Sequence, residues 1–239
     1  MDDTMESGIP TCTLNIEPRV AVVGVGGAGC SIIDHIYYSG ANVETIAINT
    51  DRHSLKKVGA NHKVLLCDRV TKGEGAKGDH ELGRSCAITH AEEISDALRG
   101  HDMVFIIAGM GGGTGTGAAP VIAEISQRLE MITFAIAINP FSFENGRCRV
   151  AREGVRRLKT MAPMTMVMEN DLLLNQAPDA TMDEAFTMAS AGINDYISKS
   201  TEKVTNAFRE QIALLEMDLG EPYGEWPAMD KDTIRILFP

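Results

Sequence analysis

Six glycines and two threonines fall within the nine residues Gly109–Gly117, GMGGGTGTG. Glycine enters the left-handed backbone region without steric cost and lets N–H groups come close to a ligand. Successive N–H groups in such a turn form a concavity suited to an anion, and a helix beginning behind it adds the positive end of its dipole. Gly112, Gly113, Thr114, Gly115, Thr116 and Gly117 are therefore candidate phosphate contacts, with both threonine hydroxyls as further donors. A plain turn needs one or two glycines, not six. Upstream, Gly24-Val25-Gly26-Gly27-Ala28-Gly29 has the G-x-G-x-x-G spacing of a dinucleotide-binding turn, and Asp51 follows near the place of an acidic ribose contact. A nicotinamide-dependent oxidoreductase is one reading of that loop. It leaves the second loop unexplained, because a dinucleotide site needs only one.

The elements that must hold these loops alternate along the chain. Apolar runs predict strands over 20–24, 44–49, 63–67, 102–108, 131–138 and 164–168, with helices near 28–39, 81–99, 117–130 and 147–160. Continuous apolar strands alternating with helices imply an α/β fold of three layers, a mostly parallel sheet with helices on both faces. Ligands in such sheets bind beyond the carboxyl ends of the strands, where every glycine loop falls. The four methionines of Met161–Met168 read as filling for a buried strand. From Thr181 to Met217 the apolar spacing is helical, with a possible break at Gly192 or at Ser198–Thr201. Residues 1–18 read as a disordered leader, 19–180 as a nucleotide-binding domain, and 181–239 as a long helix and short tail with no second domain.

Composition is that of an ordinary soluble globular protein, with 44% hydrophobic and 23% charged residues. No apolar run reaches the length of a membrane span, and the acidic start lacks the features of a signal peptide. Five cysteines with no C-x-x-C pair suit a reducing cytoplasm, and the scattered histidines offer no metal-ligand spacing. A net charge of −11 disfavours nucleic acid as a partner. The local basic run Arg147, Arg149, Arg152, Arg156, Arg157 and Lys159 reads as a solvated helix face, with a polymer or partner contact as the alternative.

Together the loops resemble the FtsZ/tubulin family of GTPases. Gly111–Gly117 is similar to the family signature almost letter for letter, and Gly26, Gly27, Ala28 and Gly29 resemble its first glycine loop. Ile48-Asn49-Thr50-Asp51 resembles the second loop, and Gly73–Gly78, with Gly75 and Ala76, the third, which in the family faces the γ-phosphate. Asn139-Pro140-Phe141 with Glu144 and Arg147 resembles the ribose segment, and Asn170-Asp171 a pair that contributes to the guanine pocket. The likeness runs from about Arg19 to about Asn194. It implies GTP or GDP as ligand, with Mg²⁺ accompanying GTP, and a filament as the setting: copies of this chain or a full-length FtsZ-type protein, in the cytoplasm.

Departures from the family pattern qualify that implication. Cys30-Ser31 stands where the family has Asn, and Ser31 is expected to cap the helix and to donate to a phosphate. The spacing from Glu144 to Arg147 is one residue short, which leaves Arg149 as the other possible counterpart. Phe186 keeps an aromatic for the base, but four residues on stands Ser190 instead of the Asn or Asp that reads guanine. The acidic activating loop has no match; Asp218, Asp230 and Asp232 are the acids of that region, and no catalytic residue is assigned. The expected activity is nucleotide binding with hydrolysis that is weak or activated by a partner. The alternative is a self-assembling GTPase in which the C-terminal acids replace the loop.

Overall fold

Runs such as VAVVGV (Val20–Val25) and MVFIIAG (Met103–Gly109) present apolar side chains on both faces, so each must be covered from two sides. The computed structural model, which describes residues 17–172 and 181–218, shows how. Six strands, β1 (Val20–Val25), β2 (Glu44–Asn49), β3 (His62–Leu65), β4 (Met103–Gly109), β5 (Ile132–Asn139) and β6 (Met164–Glu169), form one sheet in the order β3-β2-β1-β4-β5-β6. Every pairing is parallel. The chain builds outward from β1 to β3, then crosses to β4 and builds outward the other way. The carboxyl ends of the adjacent strands β1 and β4 are therefore the point where strand order reverses, and Val25 lies in register with Ala108 there.

Eight helices complete the described part: α1 (Gly26–Tyr38), α2 (Arg52–Lys57), α3 (Asp68–Thr71), α4 (His80–Thr89), α5 (Ala91–Leu98), α6 (Thr114–Arg128), α7 (Asn145–Met161) and α8 (Met182–Asp218). A short helical turn spans 170–172. On one face Val23, Ile46, Ile106 and Ala135 pack with Ala87, Ile94, Leu98, Ile122 and Leu158 from α4, α5, α6 and α7. On the other, Cys30 of α1 packs with Ala47 and Leu55, while Phe105 stacks on Phe134 and both meet the edge of Tyr196 from α8. Residues Pro18–Thr201 group as one unit; Glu202–Asp218, the distal part of α8, belongs to a second.

The expected strands and the three-layer architecture stand. The differences are local and have physical causes. The helix expected over 81–99 is two, broken at His90, whose ring is held by the Cys67 N–H on one side and Glu93 on the other. The short helices α2 and α3 were not expected; six and four residues are too few for a periodic signal. The helix over 182–218 runs unbroken through Gly192 and Ser198–Thr201, because an isolated glycine and small hydroxyl residues are tolerated inside a long helix. The strand holding the methionines is not buried core. β6 is an outer strand of the sheet, half-buried along its middle and exposed at Met164 and Glu169. The leader (1–18, all but its last two residues), Asp230 and Asp232 lie outside the described residues.

At the amino-terminal edge one carboxylate ties three strand starts together. Glu44 Oε2 lies 2.8 Å from His101 Nε2 and Oε1 lies 2.7 Å from His62 Nε2. Hydrogen bonding from His101, then His62, holds the Glu44 carboxyl below its ordinary value of 4.5. A carboxyl depressed in the folded state adds stability above the unfolded value, and that stability is lost as pH falls through the folded one. Glu44→Gln is therefore expected to be less stable than the parent at about pH 5.5, with the gap closing as pH drops below about 4. Urea unfolding across that range measures it; a gap independent of pH would contradict the assignment.

Candidate functional site

Both glycine loops end at the reversal point because each immediately follows one of the two central strands. α1 begins at Gly26, one residue after β1, and α6 begins at Thr114, five residues after β4. The two helix starts meet: a Cβ on Gly26, at φ +72°, would stand 2.9 Å from the Gly115 nitrogen. Neither start is capped by a side chain or flanked by an acidic residue in its first turn. By contrast, α2 is capped by Asp51, which accepts from the Ser54 N–H at 2.9 Å, and α4 by Asp79, which accepts from Glu81 and Leu82 N–H groups. Two uncapped helix starts side by side leave several N–H donors and two positive dipole ends directed at one place, the requirement for holding an anion.

Most of the glycines serve this meeting by packing, not by lining the anion site. A Cβ on Gly115 would lie 2.3 Å from the Gly109 carbonyl oxygen, and one on Gly29 would lie 2.3 Å from that of Ile107. One on Gly113 would lie 2.8 Å from Ala76 Cβ, and one on Gly117 would lie 2.0 Å from the His80 oxygen. Gly27 and Gly112 differ, since a Cβ on either meets nothing within 4 Å. These two face open space, and they are the positions where a ligand can approach the backbone. Gly83, in the middle of α4, belongs to the packing set; its Cβ would lie 2.3 Å from the Gly113 oxygen. Sequence reasoning missed it, although a glycine inside a helix is itself a sign of close approach.

The third loop joins them. Gly75, at φ +81°, donates its N–H to the Thr50 oxygen at 3.3 Å, and buried Ala76 sits beside Gly113. Thr50, fully buried and absent from the expected site, links three loops. Its hydroxyl is 2.7 Å from that of Thr114, and its carbonyl also accepts from Thr71 Oγ1 at 3.2 Å. The two candidate threonines are thus differently placed. Thr114 is engaged by Thr50, whereas Thr116 turns its methyl toward Gly154 of α7 and keeps a buried Oγ1 with no partner among the described residues.

One further expectation changes, and two more side chains are placed. Ser31 does not cap α1; the helix starts at Gly26, so Ser31 lies inside it and donates to the Gly27 oxygen at 3.1 Å. The Asp51 carboxyl is engaged at the start of α2, and the Ser54 N–H holds it below the usual carboxylate range. Ser190 donates back to the Phe186 carbonyl at 2.6 Å, so its hydroxyl is taken by its own helix. Arg147 does reach the site: its backbone oxygen would meet a Gly111 Cβ at 2.8 Å, and its guanidinium pairs with Glu144 at 2.5 Å. Asn170 follows the outer strand β6, two strands from the reversal point, and half-buried Phe186 lies in the first turns of α8. Along α7, Arg156 and Arg157 pair with Glu153, and Arg157 also with Glu81, as expected of a solvated helix face.

The split among glycines predicts opposite behaviour from one substitution. Gly115→Ala forces a side chain into backbone and is expected to cost on the order of 2 kcal/mol or more in urea unfolding. Gly112→Ala and Gly27→Ala add a methyl to open space and are expected to stay within about 1 kcal/mol of the parent. Equal losses at all three positions would contradict this division.

Comparison with known proteins fits the geometry. A family model described as the GTPase domain of the tubulin/FtsZ family matches residues 19–178. Cell division protein FtsZ 1 of Pyrococcus furiosus is 41% identical over 192 residues, 80% of this chain and 52% of the relative. Cell division protein FtsZ of Neisseria gonorrhoeae is 40% identical over 188 residues, 78% of this chain and 48% of the relative. The chain thus spans about half the length of the curated relatives it matches. Among solved structures, an empty FtsZ dimer from M. jannaschii superposes with a TM-score of 0.72 at 38% identity, covering 79% of this chain and 55% of that one. A GTPγS-bound protofilament of CetZ2 from Haloferax volcanii shares the fold, with a TM-score of 0.69 at 23% identity, covering 77% of this chain and 58% of that one. The loops, the sheet order and these matches together place the chain in the tubulin/FtsZ family, in the part that forms the GTPase domain.

Proposed function

We propose that this chain binds GTP or GDP at the meeting point of α1 and α6. The observation that carries the reading is the pair of uncapped helix starts brought into backbone contact at Gly26 and Gly115. Gly27 and Gly112 are the open backbone positions for phosphate oxygens, with Gly75 and Ala76 along the third loop. Arg147 and Glu144 stand on the ribose side, and Asn170 and Phe186 on the base side. Mg²⁺ accompanies the triphosphate and is held chiefly by phosphate oxygens and water, the manner in which this ion commonly binds nucleotides. Among the described residues, the acids of these loops are already partnered: Asp51 and Asp79 cap helices, Glu74 pairs with Lys77, and Glu144 with Arg147.

The engagement of these acids within the chain supports slow hydrolysis by the chain itself and activation by a partner. The setting is a filament of the FtsZ type, to which this chain adds, or whose assembly it regulates through its nucleotide-bearing end. An alternative is a self-assembling GTPase in which acids of the C-terminal region, Asp218, Asp230 and Asp232, supply the missing group. Identification of the nucleotide released on denaturing the purified protein is the first test, with guanine nucleotide expected and a nicotinamide cofactor contradicting the reading. Gly112→Ala is expected to weaken guanine nucleotide binding at least about tenfold while the fold persists. Phosphate release is expected to be slow alone and to rise on adding a full-length FtsZ. Rapid release with filaments sedimenting from the pure protein would favour the self-assembling alternative.

A further inference from the structure

Thr50 directly follows β2 and is fully buried, yet it carries a hydroxyl where valine, of nearly the same shape, would add no polar atom to the interior. Its backbone groups are settled by neighbours. The N–H donates to Asn49 Oδ1 at 2.8 Å, and the carbonyl accepts from the Gly75 N–H at 3.3 Å and from Thr71 Oγ1 at 3.2 Å. The hydroxyl has one partner among the described residues, Thr114 Oγ1 at 2.7 Å. Thr114 is the first residue of α6, and its side chain stands where the two helix starts meet: a Cβ on Gly26 would lie 3.4 Å from Thr114 Cβ.

Two hydroxyls at that distance share one hydrogen bond, and burial decides its direction. If Thr114 donated, the Thr50 proton would be left without an acceptor in a place closed to water, which is costly. If Thr50 donates, its proton is used, and the Thr114 proton is released toward the start of α6, where Thr114 keeps 8% exposure. We infer that Thr50 is a positioning residue of the anion site: it donates to Thr114, and Thr114 donates onward to a phosphate oxygen bound where α1 and α6 meet. The inference rests on the nucleotide reading given above. Accepting from Thr50 fixes the rotation of the Thr114 hydroxyl and polarises it, which makes it the better donor. No proton leaves either residue; the pair orients a donor and transfers nothing. Thr116 lacks such a backing, since its buried hydroxyl meets no partner among the described residues. Because the Thr50 carbonyl also holds Gly75 and Thr71, the donor pair and the third loop share one anchor.

The test is GDP binding to the full chain, measured by calorimetry after removal of bound nucleotide, with urea unfolding of each variant in its absence. T114V removes the donor and is expected to weaken binding at least about tenfold. T50V removes only the group behind it and is expected to weaken binding about three- to tenfold. T50S keeps the hydroxyl and is expected to stay within about twofold of the parent, which a merely space-filling role would not produce. In the T114V background, adding T50V is expected to change affinity less than about twofold, because Thr50 acts through Thr114. Thr50→Cys keeps a weaker donor at the same place and is expected to fall between T50S and T50V, so it decides the matter if the valine variant does not fold. Binding by T50V equal to the parent's, losses that add in the double variant, or a loss that serine does not restore would each overturn the inference while leaving the nucleotide reading intact. A parent that binds no guanine nucleotide overturns both.

Discussion

The structure rests on backbone-to-backbone contact between helices that have no side chain at the point of crossing. α6 touches β4 at Gly115, the start of α1 at the same residue, and α4 at Gly113 and Gly117. Each contact sits at a distance where even a methyl group would collide with a carbonyl or amide. Helices normally pack with their axes 8–10 Å apart because side chains lie between them. Omitting those side chains lets three helices and a central strand converge, and their unsatisfied N–H groups converge with them. The geometry that brings the donors together and the geometry that packs the helices are one arrangement. Thr50 extends it, since a single buried residue links the second loop, the third loop and α6 through its hydroxyl and its carbonyl.

Capping supplies the electrostatic half. Asp51 and Asp79 satisfy α2 and α4 from within the chain, and both belong to the loops that meet the start of α6, through Thr50 and through Gly113. If either acid were free, it would compete with an anionic ligand for the same donors. Capping therefore keeps the flanking negative charge occupied while the two central helix starts remain available. The chain can carry a net charge of −11 and still offer one locally positive point, because backbone dipoles, not lysines and arginines, create it.

The order of elements could be read from the sequence because a parallel sheet covered on both faces turns strands such as Met103–Gly109 into unbroken apolar runs. The glycine signature marked the end of β4 for a different reason: six glycines in nine residues exceed what a turn needs, and all but Gly112 are held in close packing contacts. What could not be read depends on contacts between distant segments. Ser31 looked like a cap because the helix was taken to start near residue 28, and only the meeting of Gly26 with Gly115 shows where α1 begins. The Met164–Glu169 strand is apolar in sequence, yet it occupies the sheet edge, and position in a sheet has no local signal. Gly83 appeared ordinary until Gly113 was seen against it.

The division of the glycines into closed and open positions has a consequence for descent. In any lineage that keeps the fold, Gly113, Gly115 and Gly117 stay under selection whether or not the chain still meets its ligand, because every alternative collides with backbone or a buried methyl. Gly27 and Gly112 are under no such steric pressure. Should a lineage give up the ligand, those two positions are the first free to drift to alanine or serine, while the rest of the signature persists as a fossil of packing. The letters most often taken as the mark of a nucleotide are thus mainly a record of how three helices cross. On the proposed reading, the record of the ligand itself lies in the two glycines whose Cβ positions meet nothing.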